Sequence, residues 1–348
     1  MEFCTGRGGY RGRVTHRPGL DPAVAEVRRA VRAALAGIAQ GSTVVVALSG
    51  GADSLALAAS VAFEAPKLDL AAVAVTIDHG LQEGSADAAA AAAAQARALG
   101  LSARVVRVEV GADGGPEAAA RGARYAALAV EASALGAAAV LTGHTLDDQA
   151  ETVLLGLARG SGAGSLQGMS PVSTVGDGLL LLRPLLGVRR ATTRAACAAA
   201  GLEPWSDPHN VDPRFARVRV RERVLPVLEA ELGPGITEAL ARTAEQARED
   251  ADAFAAMIDE TIEDIVDHAE AGISISVPAL AANPPALRHR IIRTVVAAEF
   301  GESLTRAQTL EVARLVTEWS GQGPIDLPGC RARRRGQRLE FTARSGAR

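Results

Sequence analysis

An apolar run, Thr43–Leu48, ends at Ser49-Gly50-Gly51-Ala52-Asp53-Ser54 and gives way at once to a helical pattern over Leu55–Phe63. That junction constrains the fold more than any other part of the chain. A short, wholly apolar strand is one buried on both faces, as in a parallel sheet. Two adjacent glycines let the chain turn sharply, with no Cβ to hold a ligand away from the backbone. The helix start that follows presents N–H groups without partners inside the helix, and phosphate is their natural complement. Ser49 and Ser54 add hydroxyl donors. Asp53 sets a carboxylate among groups suited to anions, which makes sense when a divalent cation such as Mg2+ bridges it to phosphates. No Gly-Lys-Ser/Thr appears, so this is not a Walker A loop.

The alternation continues on both sides of this junction. A helix over about Pro22–Ala39 carries Val24, Val27, Val31, Leu35 and Ile38 on one face. Strands at Thr43–Leu48, Leu70–Ile77, Ala103–Val110 and Ala138–Thr142 alternate with helices at Leu55–Phe63, Ser85–Leu99, Pro116–Ala134 and Thr145–Ala158. This order predicts an α/β class domain with a doubly wound parallel sheet, whose ligands bind beyond the carboxyl ends of the strands. The tract Ala88–Ala94 needs only helix propensity and close approach to the sheet. After about residue 225 the pattern turns helical, over Thr237–Ile265, Ala286–Phe300 and Thr305–Trp319, with a short strand at Ile273–Val277. Pro226 and the turn Gly233-Pro234-Gly235 mark a boundary near the helix Arg217–Leu228. Residues 21–228 are therefore read as the catalytic domain and 229–348 as a smaller, mainly helical substrate-binding domain. Residues 1–20, rich in Gly and Arg and without periodicity, read as a disordered leader.

Composition narrows the class. Aromatics are 3% of the chain, so the core rests on Ala, Val, Leu and Ile. Cys4, Cys197 and Cys330 are far apart and lack CxxC spacing, which gives no support for a disulfide framework or a zinc or iron–sulfur site. No apolar run reaches the roughly 20 residues of a membrane span, and no signal-peptide core opens the chain, so a cytoplasmic protein is expected. The net charge of −3 excludes a globally basic nucleic-acid binder. Locally the balance differs: between Arg183 and Arg223 nine arginines stand against four acids. Arginine–phosphate contacts supply salt-dependent affinity for nucleic acid rather than sequence choice.

The segment VVVALSGGADSLAL resembles the SGGxDS loop of the PP-loop (N-type) ATP pyrophosphatases. Further motifs follow in order: Thr76-Ile77-Asp78-His79-Gly80-Leu81, Ala120-Arg121-Gly122-Ala123-Arg124-Tyr125, the run from Gly143 to Thr152, Arg159-Gly160-Ser161-Gly162, Gly168-Met169, Arg183-Pro184-Leu185-Leu186 and the run from Trp205 to Asn210. Together, over about residues 43–228, they are similar to the tRNA(Ile)-lysidine synthase family. The resemblance implies ATP as co-substrate, Mg2+, and ligation of free L-lysine to C2 of the wobble cytidine in a tRNA(Ile) with a CAU anticodon. The path it implies runs through an adenylated tRNA, with release of pyrophosphate and AMP. It assigns ATP binding to Ser49, Gly50, Gly51, Ala52, Asp53, Ser54, Ile77, His79 and Gly143. Catalytic roles fall to Asp53 (also the Mg2+ ligand), His144, Asp147 and Asp148, and tRNA or substrate contacts to Arg121, Arg124, Arg217, Arg219 and Arg221. Where the family often has Asn, this chain has Val218. Thiolases sharing the loop use cysteines not apparent here.

Plainer readings stand beside these. Thr145 with Asp148 makes an N-cap pair, and first-turn acids offset the helix dipole. Asp147 and Glu151, four apart, repel mildly, which a metal or a substrate ammonium would relieve. Arg121 and Arg124, three apart, share a helix face. His144, Asp147 and Asp148 are proton acceptors by location only. Another PP-loop synthetase, or a binding module that has lost catalysis, are the competing readings, and a homodimer is left open.

Overall fold

The computed structural model of the chain describes residues 19–80, 84–108, 116–160, 162–269 and 272–344. Most of the leader read at 1–20, and also Cys4, Leu81, Ser161 and the end of the strand read to Val110, lie outside the described residues. Two compact units divide the chain, Met1–Gln246 and Ala247–Arg348.

The first unit runs α1 (Pro22–Leu35), β1 (Thr43–Ala47), α2 (Ala52–Glu64), β2 (Ala71–Asp78), α3 (Ser85–Ala98), β3 (Ser102–Arg107), α4 (Pro116–Ala134), β4 (Ala137–Leu141) and α5 (Leu146–Ala158). It continues with α6 (Ala163–Leu166), β5 (Val172–Val175), β6 (Leu179–Leu182), α7 (Arg190–Ala199), α8 (Ala216–Arg219) and α9 (Leu225–Leu232). The six-stranded sheet has the order β3-β2-β1-β4-β6-β5. All its pairings are parallel except that of β5 with β6. Strand alternation splits the apolar residues between the faces. Val44, Val46, Ala139 and Leu141 enter a core with α1, α2, α3 and α7, while Val45, Val75 and Val140 enter another with Leu128 and Ala132 of α4. Alanines 89, 92, 93 and 96 are the buried residues of α3, so the small-residue face is what meets the protein. The hairpin β5–β6, turned at Gly176-Asp177-Gly178, is not among the elements the sequence pattern predicts. It extends the sheet beyond β4.

A long helix, α10 (Ile236–Ile265), contains the division at Gln246. That division falls later than the Gly-Pro-Gly turn because the first residues of α10 are tied to the first unit. Glu229 accepts from Gly235 N, Thr237 N and Thr237 Oγ1, and Arg189 pairs with Glu238 at 2.9 Å.

The second unit adds β7 (Val266–Ala269), β8 (Gly272–Ser276), α11 (Val277–Ala282), α12 (Pro285–Phe300), α13 (Arg306–Thr317), β9 (Ile325–Asp326), β10 (Cys330–Arg335) and β11 (Arg338–Ala343). The expected helices are present, together with a five-stranded antiparallel sheet of order β7-β8-β11-β10-β9. The arginine-rich segment near the end of the chain is strand β10. Cys330 and Ala332 point into the core and Arg331 and Arg333 out. Ile275, Leu339 and Phe341 of the sheet pack against Ile291, Ile292, Val295, Val312 and Leu315 of α12 and α13.

Phe341 is fully buried there. Phe341→Ala is expected to destabilise the second unit by about 3–5 kcal/mol. The chain has two tryptophans, Trp205 in the first unit and Trp319 in the second. In a W205F background, urea unfolding followed by Trp319 fluorescence should show the destabilisation as a lowered midpoint with the slope unchanged.

Candidate active site

From β1 the chain winds outward through β2 to β3, then returns to place β4 on the other side of β1. The carboxyl ends of β1 and β4 therefore form the topological switch point. The loops leaving them touch. A Cβ on Gly143 would lie 3.1 Å from the backbone C and O of Asp53 and from the N of Ser54, so any side chain there would push the two segments apart by a few tenths of an ångström. Gly50 turns the first loop at φ 82°. Its carbonyl accepts from Trp205 N at 2.9 Å, so the Trp205 segment closes against the loop. Ser54 Oγ lies 3.1 Å from Ser49 Oγ, accepts from Ser49 N at 3.2 Å and donates to Gly51 O at 2.9 Å. No side chain caps α2 at Gly51, so its first N–H groups are left for an anion.

The second loop opens α5 with a capping box. Asp148 Oδ2 accepts from the N and Oγ1 of Thr145, both at 2.8 Å, and its Oδ1 accepts from Arg190 Nη2 at 2.7 Å. Glu151, with a side chain 0% exposed, accepts from Arg190 Nη1 at 3.1 Å and from Arg221 on both oxygens at 2.7 and 3.0 Å. Arg217 Nε lies 3.8 Å from it. Asp147 Oδ2 accepts the backbone N–H of Arg190 at 2.7 Å, and its Oδ1 is 3.4 Å from Arg189. Arg190 Nε is 3.6 Å from Asp53 Oδ2, and the Thr193 hydroxyl donates to Asp53 Oδ1. One guanidinium thus ties both loops to α7. Burial opposes its charge, but Asp148, Glu151 and Asp53 outweigh burial and raise its pKa above the ordinary value. Asp148 is held below the carboxylate range: burial resists this, and Arg190 with the Thr145 donors prevails. Burial pushes Asp53 the other way, above its ordinary value, against Thr193 and Arg190. The repulsion expected between Asp147 and Glu151 is relieved by Arg189, Arg190 and Arg221.

Beside these groups Asp147, Glu151, Arg189, Arg190 and Arg221, with Leu225, Pro226 and Glu238, line a cavity of about 300 Å³. It offers carboxylates, guanidiniums and an apolar wall at once.

A third group is dominated by cations. The guanidiniums of Arg121 and Arg124 lie 5.5 and 5.6 Å from the centroid of the Tyr125 ring. Burial, then Arg121 and Arg217, lower the pKa of Arg124, and no carboxylate acts on it. Burial pushes His144 down to about 4, with Asp148 opposing and Arg124, Arg183 and Arg121 adding to the push. Its Nδ1 is 2.9 Å from the Thr142 hydroxyl. His79 is lowered by burial and by Arg124. His79 Nδ1 and the Tyr125 hydroxyl are buried without a hydrogen-bond partner, as expected where a bound group completes the set.

Residues 24–228 match the PP-loop domain family, and residues 275–340 match the TilS substrate binding domain. The tRNA(Ile)-lysidine synthase of Leifsonia xyli subsp. xyli is 60% identical over 306 residues, covering 87% of this chain and 91% of its own. That of Thermobifida fusca is 53% identical over 320 residues, covering 91% and 96%. The chain belongs to the tRNA(Ile)-lysidine synthase family. Its fold is shared with a U34-tRNA thiolase from Methanococcus maripaludis, at 20% identity and a TM-score of 0.56 over 65% of this chain and 80% of that one.

For a member of the lysidine synthase family, the residues assigned from sequence fall into distinct places. Ser49, Gly50, Gly51, Asp53, Ser54 and Gly143 meet at the switch point, where Ala52 opens α2 and packs toward the core. His79, His144, Arg121 and Arg124 join the cationic group, while Ile77 packs into the α4-side core beneath it. Asp147 and Asp148 are engaged by arginines. A π-helical turn, Val220–Val224, follows α8, and Arg217 and Arg221 face Glu151. Arg219 points elsewhere, donating to the carbonyls of Pro213 and Arg214. Val218, at the departure from the family pattern, is buried. Arg190 and Thr193 join these groups in the structure, and the sequence reading misses them. The available signal is the pair Arg189-Arg190 at the start of α7, where cations oppose the helix dipole and call for acids nearby.

His144 titrates near 4 when folded and near 6.5 when unfolded. Between those values the unfolded chain binds the extra proton, so stability falls as pH drops from about 6.5 toward 4. Asp53, raised by burial, works in the opposite sense, and depressed Asp148 yields its contribution only below the ordinary carboxylate range. Urea midpoints at pH 7 and pH 5 should therefore fall less for His144→Gln than for the unaltered chain. Equal falls would refute a buried neutral imidazole.

Proposed function

We propose that the chain ligates free lysine to C2 of the wobble cytidine of a tRNA(Ile) with a CAU anticodon, using ATP. The observation that carries this is the meeting, at one switch point, of a phosphate loop, an acid–arginine cavity and a group dominated by cations. In the first step the cytidine O2 bonds to the α-phosphorus of ATP and pyrophosphate leaves. In the second the lysine amine bonds to C2, loses its proton, and AMP departs with the electron pair of the C2–O bond.

Each step places its demands on different residues. The loop N–H groups and the hydroxyls of Ser49 and Ser54 align the phosphates. Among the described residues no group of three or more His, Cys, Asp or Glu side chains gathers around a metal position. Asp53 is the carboxylate that would hold Mg2+, an ion commonly bound through one or two carboxylates. When bound there, Mg2+ supplies neutralisation of phosphate charge. The 300 Å³ cavity suits an amino acid, with Asp147 for its ammonium and Arg189 for its carboxylate. Arg121, Arg124, His79 and Tyr125 suit the wobble nucleotide, offering cations to its phosphate and a ring for stacking.

The reaction consumes an amine whose reference pKa is about 10.4. Asp148 is committed to Thr145 and Arg190, and His144 is a weak base at about 4. The cations around them instead favour the neutral form of an incoming amine. This reading therefore gives the site charge placement and alignment as its tools, with no enzyme nucleophile. The chemistry is that of a cytoplasmic tRNA-processing ligase, and every residue it uses lies in one chain, so a homodimer is not required by it.

The test is incorporation of labelled lysine into a tRNA(Ile) transcript bearing CAU, with ATP and Mg2+, beside a transcript with the wobble cytidine replaced. Label in the first alone is expected. Asp53→Ala should abolish both labelling and pyrophosphate release. Pyrophosphate released without labelling of either transcript would keep the PP-loop chemistry and move the enzyme to another substrate.

A further inference from the structure

Arginines in the second unit differ in whether they have a counter-charge. Between Gly272 and Arg344 eleven arginines stand against six acids. Those on the sheet are largely paired: Arg331 with Asp326, Arg333 with Glu340 and Arg338 with Asp267. Arg314 pairs with Glu318 along α13.

The helix α12 is different. His289 and Arg293, four apart, and Arg290, three before Arg293, lie on one helix face. Arg290 donates to Ala286 O and holds its guanidinium 4.2 Å from the centroid of the Phe254 ring. An arginine stacked in this way keeps part of its donor fork available. Among the described residues His289, Arg293 and Arg306 show no ion pair or hydrogen bond. The groups that act on His289, after burial, are Arg288, Arg293 and Arg306, and on Arg293 they are Arg290 and Arg306. No carboxylate acts on either. Neither α12 nor α13 has an acid in its first turn, although the helix dipole favours one there. Packed for stability alone, cations this close would have an acid among them. A polyanion is the partner that makes such a face favourable.

We infer that the face formed by His289, Arg290 and Arg293 of α12 with Arg306 of α13 grips backbone phosphates of the substrate tRNA. This rests on the tRNA reading above and names a surface for it. The contacts are to phosphate, so they add affinity without choosing sequence.

The double variant R293Q/R306Q tests this, because the charged groups acting on Arg293 are arginines and neither side chain holds the fold by an ion pair. Its thermal midpoint should equal or exceed that of the unaltered chain. Affinity for the tRNA(Ile) transcript at about 0.15 M salt should fall about tenfold, and the slope of log affinity against log salt should shrink by about 2, one for each arginine taken from a phosphate. The KM for lysine at saturating tRNA should hold. Unchanged tRNA affinity and salt slope in a folded variant would overturn the inference, as would a lowered midpoint with unchanged affinity, which marks structural arginines. Failure of the unaltered chain to bind or label the tRNA would overturn the functional reading itself, and the two failures are therefore distinct.

Discussion

Arg190 is the interaction on which the rest of the site depends. Its guanidinium stands between the loops leaving β1 and β4, reaching Asp148 and Glu151 directly and Asp53 at 3.6 Å. Its backbone N–H is held by Asp147. Removing an arginine from water is costly, and one carboxylate does not repay the cost unless its remaining donors are satisfied too. Here several acids share the guanidinium, and Glu151 is in turn bound by Arg221 on both oxygens. Loss of Glu151 would leave Arg217 without its carboxylate and Arg190 and Arg221 to share Asp148. The ends of α2, α5, α7 and α8 are thereby held in one arrangement by the protein's own charges, which is the condition for electrostatic catalysis without reorganisation.

Counter-charge also sorts the arginines by what they do. Arg217 and Arg221 belong to a local surplus of basic residues that suggests RNA, yet both turn inward to Glu151 and serve the fold of the cavity. Arg219, two residues from each, is tied to backbone carbonyls and remains exposed. Arg124 is buried beside Arg121 and Arg217 with no carboxylate acting on it, a costly state for a structural residue and a useful one for a group that meets phosphate. The number of arginines in a segment therefore says less about its RNA contacts than the number left without a carboxylate.

The catalytic half of the fold was legible because its signals are local. Apolar runs such as Thr43–Leu48, the glycine pair and the Thr145–Asp148 cap each declare themselves within a few residues, and β–α alternation then requires a switch point. The hairpin β5–β6 was not, since four leucines at Leu179–Leu182 have no alternation to mark them as a strand. Strand β10 was hidden for the opposite reason: Cys-Arg-Ala-Arg-Arg-Arg alternates, but its inward residues are small and its outward ones dominate the impression. The Asp147–Glu151 repulsion could be read from spacing. Its relief by Arg190 could not, because a partner 39 residues away along the chain comes within reach only once α7 packs beside α5.

The chemistry follows from the same division of charge. A ligase that attacks with an amine needs that amine neutral, and needs negative charge on the departing phosphates offset at the right moment. A strong base would serve the first need but would itself be protonated or paired among so many arginines. Asp148 shows this, since the arginine that depresses its pKa also occupies it. A field of buried cations meets both needs, because it disfavours an ammonium and favours a phosphate in the same space. The neutral His144 then fits as a hydrogen-bonding group inside that field. Its low pKa follows from the environment the phosphate chemistry requires and needs no acid–base role to explain it.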